Sequence, residues 1–504
     1  MKNLFVLPAL ITSCGLILAG PASAQTFATL YSFSATDPIT GVNNDGAGPI
    51  ELFLSKNILY GEARGGGNGG WGTVFALNTN GTSFNTLHSF TATSGFPDYI
   101  NSDGASPNGG LILSDDTLYG TASSGGDFGY GNVFSLNTNE ATFNTLYSFT
   151  APVDNGSGTK TNSDGARSTT GLILSGDTLY GTTQQGGTGG VGTVFAIHAD
   201  GTGFTTLHSF SRFTGESAAG IPINSDGAHP NGLILSGNSL YGTADEGGSS
   251  GLGTVFKLNT DGTGFRRLYS FTALDNNARN SDGALPEAGL ILSEDTLYGT
   301  TTSGGRTNVG GITMGGRGTL FAVNTNGTGF RTLHSFIGSD GDWPGELILS
   351  SNTLYGTTYY GGTGNVGTVF AINIDGTGFK MLHSFTAPDN DGRNSDGMWP
   401  TAGLILSGDT LYGTATGGGS EGSGTVFSIA LPVSPPLLAI NAAVIGSVIL
   451  TWPTNSTGFV LQSTTNLFST ATWTAVSPDP VVINGQNTVT NPISGTRKFY
   501  RLSQ

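Results

Sequence analysis

Short apolar runs recur along most of the chain, each bounded by Gly, Asn, Asp or Ser. One run reads LIL or LFL, the next LYG, the next TVF and the next L-(H/Y)-S-F. Their β-branched and aromatic content predicts strands, four to a copy. The triplet LYG is centred on Tyr60, Tyr119, Tyr180, Tyr241, Tyr298, Tyr355 and Tyr412, at spacings of 59, 61, 61, 57, 57 and 57 residues. So even a period points to a propeller or solenoid and is too long for leucine-rich or hexapeptide repeats.

Each copy keeps one order: LIL, LYGT, a Gly-Gly, GTVF, a turn, then L-(H/Y)-S-F. The turn holds Asn80-Gly81, Asp200-Gly201, Asp261-Gly262, Asn326-Gly327 or Asp375-Gly376, a strong antiparallel hairpin signal. The second copy has Asn139-Glu140 instead, which predicts a looser turn. Strands apolar on both faces fit sheets stacked on sheets, and the expectation is a seven-bladed β-propeller of four-stranded antiparallel blades. The termini sharpen it. Leu30-Tyr31-Ser32-Phe33 precedes any LIL, while the last copy ends at Gly424-Thr425-Val426-Phe427 without its fourth strand. Phe27 to Phe33 is therefore expected to complete the last blade and remove an exposed edge.

The string L-(H/Y)-S-F, S-D-G-x-x-P, L-x-L, L-Y-G-T, G-G, G-T-V-F, repeated from about 30 to 431, resembles the GloVer (Gloeo-Verruco) tandem repeat of secreted bacterial proteins. The resemblance implies an extracellular or envelope-attached protein of the choice-of-anchor type and no particular reaction. The LYG and Gly-Gly order is also similar to the kelch propeller pattern. The propeller is assigned to 25–431 and a stiff Pro-rich linker to 432–436. Residues 437–504 alternate apolar and polar positions in VILTW, FVLQS, WTAV, TVTNP and KFYRL, which predicts a small immunoglobulin-like β-sandwich.

Composition narrows the classes. Of 504 residues 83 are Gly and 20 Pro, which disfavours helices. With 36% hydrophobic and 10% charged residues the chain has enough apolar content for a sizeable core. A formal charge of -16 argues against nucleic acid or an anionic membrane as partner. Lys2, the apolar stretch Leu4 to Ala19 and the small residues Ala22-Ser23-Ala24 predict a signal peptide over 1–24, cleaved after Ala24, hence a secreted or outer-envelope protein. The only cysteine, Cys14, lies inside it. Ordinary cleavage is favoured over acylation at Cys14, and the mature chain then has neither disulfides nor thiolate metal sites. No later segment is long and apolar enough for a transmembrane span.

The diglycines, from Gly66-Gly67 to Gly418-Gly419, precede no helix as a phosphate loop must, so they read as positive-φ backbone and imply no nucleotide cofactor. His88, His208, His334 and His383 alternate with Tyr31, Tyr147 and Tyr269 at one repeat position. A metal ligand or general base could not be exchanged in this way, whereas a flat hydrogen-bond donor could. The Asp of each Asp-Gly, from Asp45 to Asp396, reads as a turn residue. Calcium at Asp389, Asp391 and Asp396 is the competing reading, although these residues do not follow the EF-hand loop.

Function in a repeat protein is sought where the repeat breaks. Between LYG and GG, and just after it, the odd residues are Glu62, Arg64, Trp71, Tyr130, Gln184, Gln185, Asp245, Glu246, Tyr359 and Tyr360, together with the insertion Arg306 to Arg317. Aromatics beside amides and acids suit a sugar, so Trp71, Tyr130, Gln184, Gln185, Tyr359 and Tyr360 are the candidate binding residues. The expectation is a non-enzymatic binding or scaffold protein for an extracellular glycan or surface protein. Two alternatives stay open. One is a purely structural envelope module. The other is a polysaccharide hydrolase or lyase with Asp245, Glu246 or Glu62 as acid or base and Arg64 against a substrate carboxylate. Adjacent Asp245 and Glu246 point to opposite sides of an extended segment, so a second carboxylate would have to come from another copy.

Overall fold

The computed structural model describes residues 25–95, 99–156, 158–277, 279–309, 312–432, 438–442, 447–454, 459–465, 472–483, 485–492 and 498–503. The expected signal peptide 1–24 with Cys14, and residues 433–436 of the expected linker, lie outside them. The described residues are all β with no helix, and so hold no helix able to cross a membrane.

Thr26–Ala430 forms one unit. Antiparallel sheets follow one another along it, here numbered 1 to 7 in chain order. In sheet 1 the strands Ala47–Ser55, Ile58–Gly65, Thr73–Asn78 and Asn85–Ser89 pair as sequential neighbours. Sheets 2 to 6 repeat this order around second strands Thr117–Ser124, Thr178–Thr183, Ser239–Glu246, Thr296–Thr301 and Thr353–Tyr360. In sheet 7, Ile405–Ser407, Thr410–Ala415 and Thr425–Ala430 are completed by Thr26–Ser32 from the start of the chain. Phe27 lies opposite Ile429 and Ser32 opposite Thr425. This is the strand exchange that the unmatched termini predict.

The repeated letters have packing reasons. Gly61 of LYG lies opposite Phe75 of TVF. A Cβ on Gly61 would lie 2.5 Å from Phe75 Cζ, so the glycine is what lets a fully buried ring lie across its strand. The same Gly–Phe pair recurs in every sheet, from Gly120–Phe134 to Gly413–Phe427. The hairpin after TVF is longer than a two-residue turn: Asn78 N–H donates to Thr82 at 3.0 Å, and Asn80 accepts from the Thr82 hydroxyl. In the second copy the loop is one residue longer, from Asn137 to Thr142, and Ala141 takes φ 52°.

The exchangeable His or Tyr acts as one half of a latch. Tyr31 Oη donates to Asp45 at 2.8 Å, and His88 Nε2 lies 3.0 Å from Asp103, with equivalent pairs in the other copies. Each ring also stacks on a Phe of the following sheet, as Tyr31 does on Phe84 at 4.0 Å and His88 on Phe143 at 4.0 Å. The Asp therefore joins the outer strand of one sheet to the connection that enters the next. A second contact runs along the inner side. The Pro of each connection lies over the Gly that opens GTVF in the preceding sheet, so that a Cβ on Gly72 would meet Pro107 Cδ at 2.5 Å. Gly424 of sheet 7 meets Pro49 of sheet 1 in the same way, at 2.4 Å. Only sheet 3 has Ser168 instead of Pro at this place.

The residues from Leu431 onward belong to a separate unit. There Ala439–Ala442, Ser447–Pro453, Gln486–Pro492 and Val481–Ile483 form one antiparallel sheet, and Thr474–Ala475, Val460–Thr464 and Phe499–Ser503 another. Leu450, Trp452, Leu461, Val489 and Leu502 make their shared core.

Candidate functional site

A cavity of about 400 Å³ lies within the Thr26–Ala430 unit and takes lining residues from all seven sheets. Two places in the repeat supply most of them. One is the pair of residues after the inner Pro, giving Ile50 and Glu51 in sheet 1, Asn231 and Gly232 in sheet 4, Glu287 and Ala288 in sheet 5, and Gly345 and Glu346 in sheet 6. The other is the fourth residue after the LYG tyrosine, where the second strand ends: Arg64, Gln184, Asp245, Thr302 and Tyr359. Both places are free of the packing duties that fix LYG and TVF, which lets them differ from copy to copy.

Glu51 reaches from sheet 1 to hydrogen-bond the carboxyl of Glu346 from sheet 6. Glycines of other sheets make room for the pair. A Cβ on Gly110 would lie 1.9 Å from Glu51 Oε2, and one on Gly403 3.1 Å from Glu346 Oε2. Burial, then the Glu346 charge and its hydrogen bond, then the Glu62 charge hold Glu51 well above the usual carboxylate range, so the pair retains a proton. Part of Glu51 still opens on the cavity.

Glu62 sits where the other six copies carry Thr121, Thr182, Thr243, Thr300, Thr357 and Thr414. Five of those hydroxyls donate to a carbonyl of the next sheet, as Thr243 does to Ala288 at 2.9 Å. Glu62 reverses the polarity and accepts the Gly110 N–H at 2.9 Å, while its Oε1 is buried with no hydrogen-bond partner. Burial raises its carboxyl from 4.5 to about 8 against the pull of the Gly110 and Gly109 N–H groups.

On the wall, Asp245 Oδ1 is likewise buried without a hydrogen-bond partner. Burial first, then the charges of Glu287 and Glu246, raise Asp245 from 3.8 to about 8. Glu287 enters from the neighbouring sheet, raised by its own burial and opposed by the Thr302 hydroxyl at 3.1 Å. The lining also carries aromatic rings, Trp343 and Tyr359 of sheet 6. Tyr359 stacks parallel to Trp399 at 5.9 Å and tilts against Trp343 at 6.0 Å, and Tyr360 lies edge-on to Tyr359 at 4.4 Å. Trp343 keeps 46% of its surface exposed. Trp343 and Trp399 both hold positive φ, 56° and 62°, immediately before Pro. Ser106, Arg167, His229 and Leu285 share that conformation, which is costly for non-glycine residues and persists only where the surroundings impose it.

The residues singled out in the sequence divide accordingly. Arg64, Gln184, Asp245 and Tyr359 line the cavity, with Tyr360 beside Tyr359. Glu246 points elsewhere, toward His229 Nδ1 at 3.6 Å, as adjacent residues of a strand must. Trp71 and Tyr130 pack against buried clusters between sheets, and Gln185 is exposed with its backbone bonded to Ala166. The Arg306 to Arg317 insertion includes a two-stranded hairpin, Gly304–Val309 with Ile312–Gly316. Asp389 accepts the N–H groups of Asp391 and Arg393, both at 2.9 Å. Asp396 is buried and accepts from His383 at 2.9 Å and from Thr386. Among the described residues no group of three His, Cys, Asp or Glu side chains is arranged to hold a metal ion.

Glu51, Glu287, Glu346, Trp343 and Trp399 are additions that the structure makes. A signal for the first three was present: Glu follows the inner Pro by one or two residues in only three copies.

The Gloeobacter/Verrucomicrobia repeat matches residues 12–162, 101–229 and 310–434, more than half of the chain. The protein belongs to the Gloeobacter/Verrucomicrobia repeat family. No curated protein matches it. Among solved structures this repeat protein is similar to an oligogalacturonate lyase in complex with manganese, at 12% identity over 82% of this chain and 99% of the other, with a TM-score of 0.46. It is similar to the GH74 xyloglucanase from Xanthomonas campestris at 10% identity over 85% and 60%, TM-score 0.47. To a nidogen/laminin complex the figures are 16%, 67% and 94%, and 0.36. Likenesses this distant carry no argument about the site.

Proposed function

We propose that Thr26–Ala430 is a closed seven-bladed propeller of a secreted protein and that its central cavity binds a saccharide. The observation that carries this reading is one cavity lined from all seven sheets, with Trp343 and Tyr359, the latter stacked on Trp399, beside Arg64, Gln184 and Asp245. Aromatic faces stack on the apolar side of a sugar, while amides, acids and guanidinium read its hydroxyls. The Pro49–Gly424 contact and the place of Thr26–Ser32 in sheet 7 support closure. The C-terminal unit is read as an immunoglobulin-like tail that presents the propeller on the cell surface.

The test is a glycan array with the mature protein, repeated with Trp343→Ala and Tyr359→Ala. Each substitution is expected to weaken the captured glycan about tenfold or more, since stacking contributes on the order of 1 kcal/mol or above. Binding that is unchanged in both variants, or absent in the parent, overturns the site. A second reading has a specific observation behind it: Asp245 and Glu287, carboxyls of adjoining sheets on one cavity wall, could serve a hydrolase or lyase. Release of shortened saccharides by the parent and not by Asp245→Asn would establish it.

A further inference from the structure

We infer that the saccharide held in the cavity carries a free, cationic amino group, which seats against Asp245 and Glu287. This rests on the reading of the cavity as a saccharide site and adds the class of sugar. The ionisable groups on the lining are lopsided: Glu51, Asp245, Glu287 and Glu346 against Arg64 alone. Arg64 is not at the acids but near Tyr359, whose hydroxyl feels its charge. The charges that Asp245 feels are acidic as well, Glu287 from sheet 5 first and then Glu246 from its own strand. His229 is turned to Glu246, at 3.6 Å.

A neutral sugar would leave this wall in an unfavourable state, with acids crowded together and no positive charge set against them. An ammonium group supplies what is missing, three N–H donors and a positive charge, and the rings of Trp343 and Tyr359 line the same cavity for its apolar face. Outside the lining, Glu62 packs with Glu51 against Gly110, and its Oε1 is a second fully buried acceptor without a partner.

Proton linkage provides a readout that simple stickiness would not give. Asp245 is held up to about 8 in the free protein, so it is largely protonated at pH 7 and must release its proton to pair with a cation. The experiment is isothermal titration of the mature protein at about pH 5.5, where the sugar amine and Asp245 both carry their protons before binding, in two buffers of different ionisation enthalpy. The ligands are a glucosamine oligosaccharide and its fully N-acetylated counterpart.

The free-amine oligosaccharide is expected to bind about tenfold tighter or more, with release of up to about one proton. Asp245→Asn is expected to abolish both the preference and the proton release, and Glu287→Gln to reduce the preference. Equal affinity for the two oligosaccharides, or a preference that Asp245→Asn leaves intact, overturns the amine seat while the saccharide reading stands. Failure of both oligosaccharides, combined with an empty glycan array, overturns the saccharide reading and this inference with it. Thermal melts of the two variants show that any loss is not loss of the fold.

Discussion

Glu62 offers the sharpest link between a residue that breaks the repeat and a measurable quantity. Its side chain is wholly buried where the other copies place threonine, and its carboxyl titrates at about 8 instead of 4.5. Between those values the folded chain keeps a proton that the unfolded chain gives up, so stability falls as pH rises. The contribution is fully present below pH 4.5 and is lost on passing through pH 8. With about 1.4 kcal/mol per pH unit, the loss from this group is about 3 kcal/mol by pH 7 and about 5 kcal/mol at most. Glu62→Gln keeps the shape and removes the titration. Its stability relative to the parent is therefore expected to increase from pH 4.5 to pH 8, by about 4 °C in melting temperature at pH 7 for a unit of this size. Calorimetry at pH 4.5, 6, 7 and 8 reads the difference directly. Asp245 and Glu287 lower the stability of both proteins in the same sense and cancel in the comparison, whereas Glu51, raised in part by the Glu62 charge, is raised less in the variant and adds to the difference in the same direction. Parallel curves for parent and variant would refute a buried, protonated Glu62.

Other substitutions test the packing. Glu62→Thr restores the residue of the other copies and is expected to be at least as stable as the parent at pH 7, by thermal melt. Asp226→Ala strips the partner of His208 and of the Ser211 N–H and hydroxyl and should cost about 3 kcal/mol in urea unfolding, while His208→Tyr, which copies Tyr31, should change it by less than about 1 kcal/mol. Gly61→Ala drives a methyl group into Phe75 Cζ and Leu52 Cδ2 and is expected to lower stability by about 3 kcal/mol, read from the urea midpoint.

The repeat letters made the strands, their order and the exchange at the termini legible, because each letter answers to a local contact that recurs in every copy. LYG and TVF carry the Gly–Phe pair. The His/Tyr alternation announced a hydrogen-bond donor, although only the folded chain revealed Asp103 or Asp45 as its acceptor. The cavity was half legible. Arg64, Gln184, Asp245 and Tyr359 stand out at the end of the second strand, but Glu51 and Glu346 lie just beyond an inner proline, where the chain bulges between Pro49 and Leu52 and between Pro344 and Leu347. A bulge changes which face a residue meets, so strand alternation could not assign those glutamates to the interior. Trp71 and Tyr130 were misleading for the opposite reason: they occupy the place of Val191, Leu252 and Val366, a packing position that happens to hold an aromatic residue in two copies.

The proposed closure of the propeller rests on Thr26–Ser32 completing sheet 7. Ala28 lies directly opposite Ser428 in that pairing, and the sequence holds no cysteine after Cys14. In a chain that starts at Gln25 and carries Ala28→Cys and Ser428→Cys, air oxidation is expected to form an intramolecular disulfide in nearly every molecule, seen as a faster band on a non-reducing gel and a raised melting temperature. Two free thiols, or disulfides only between molecules, would contradict the pairing and the proposed closure with it.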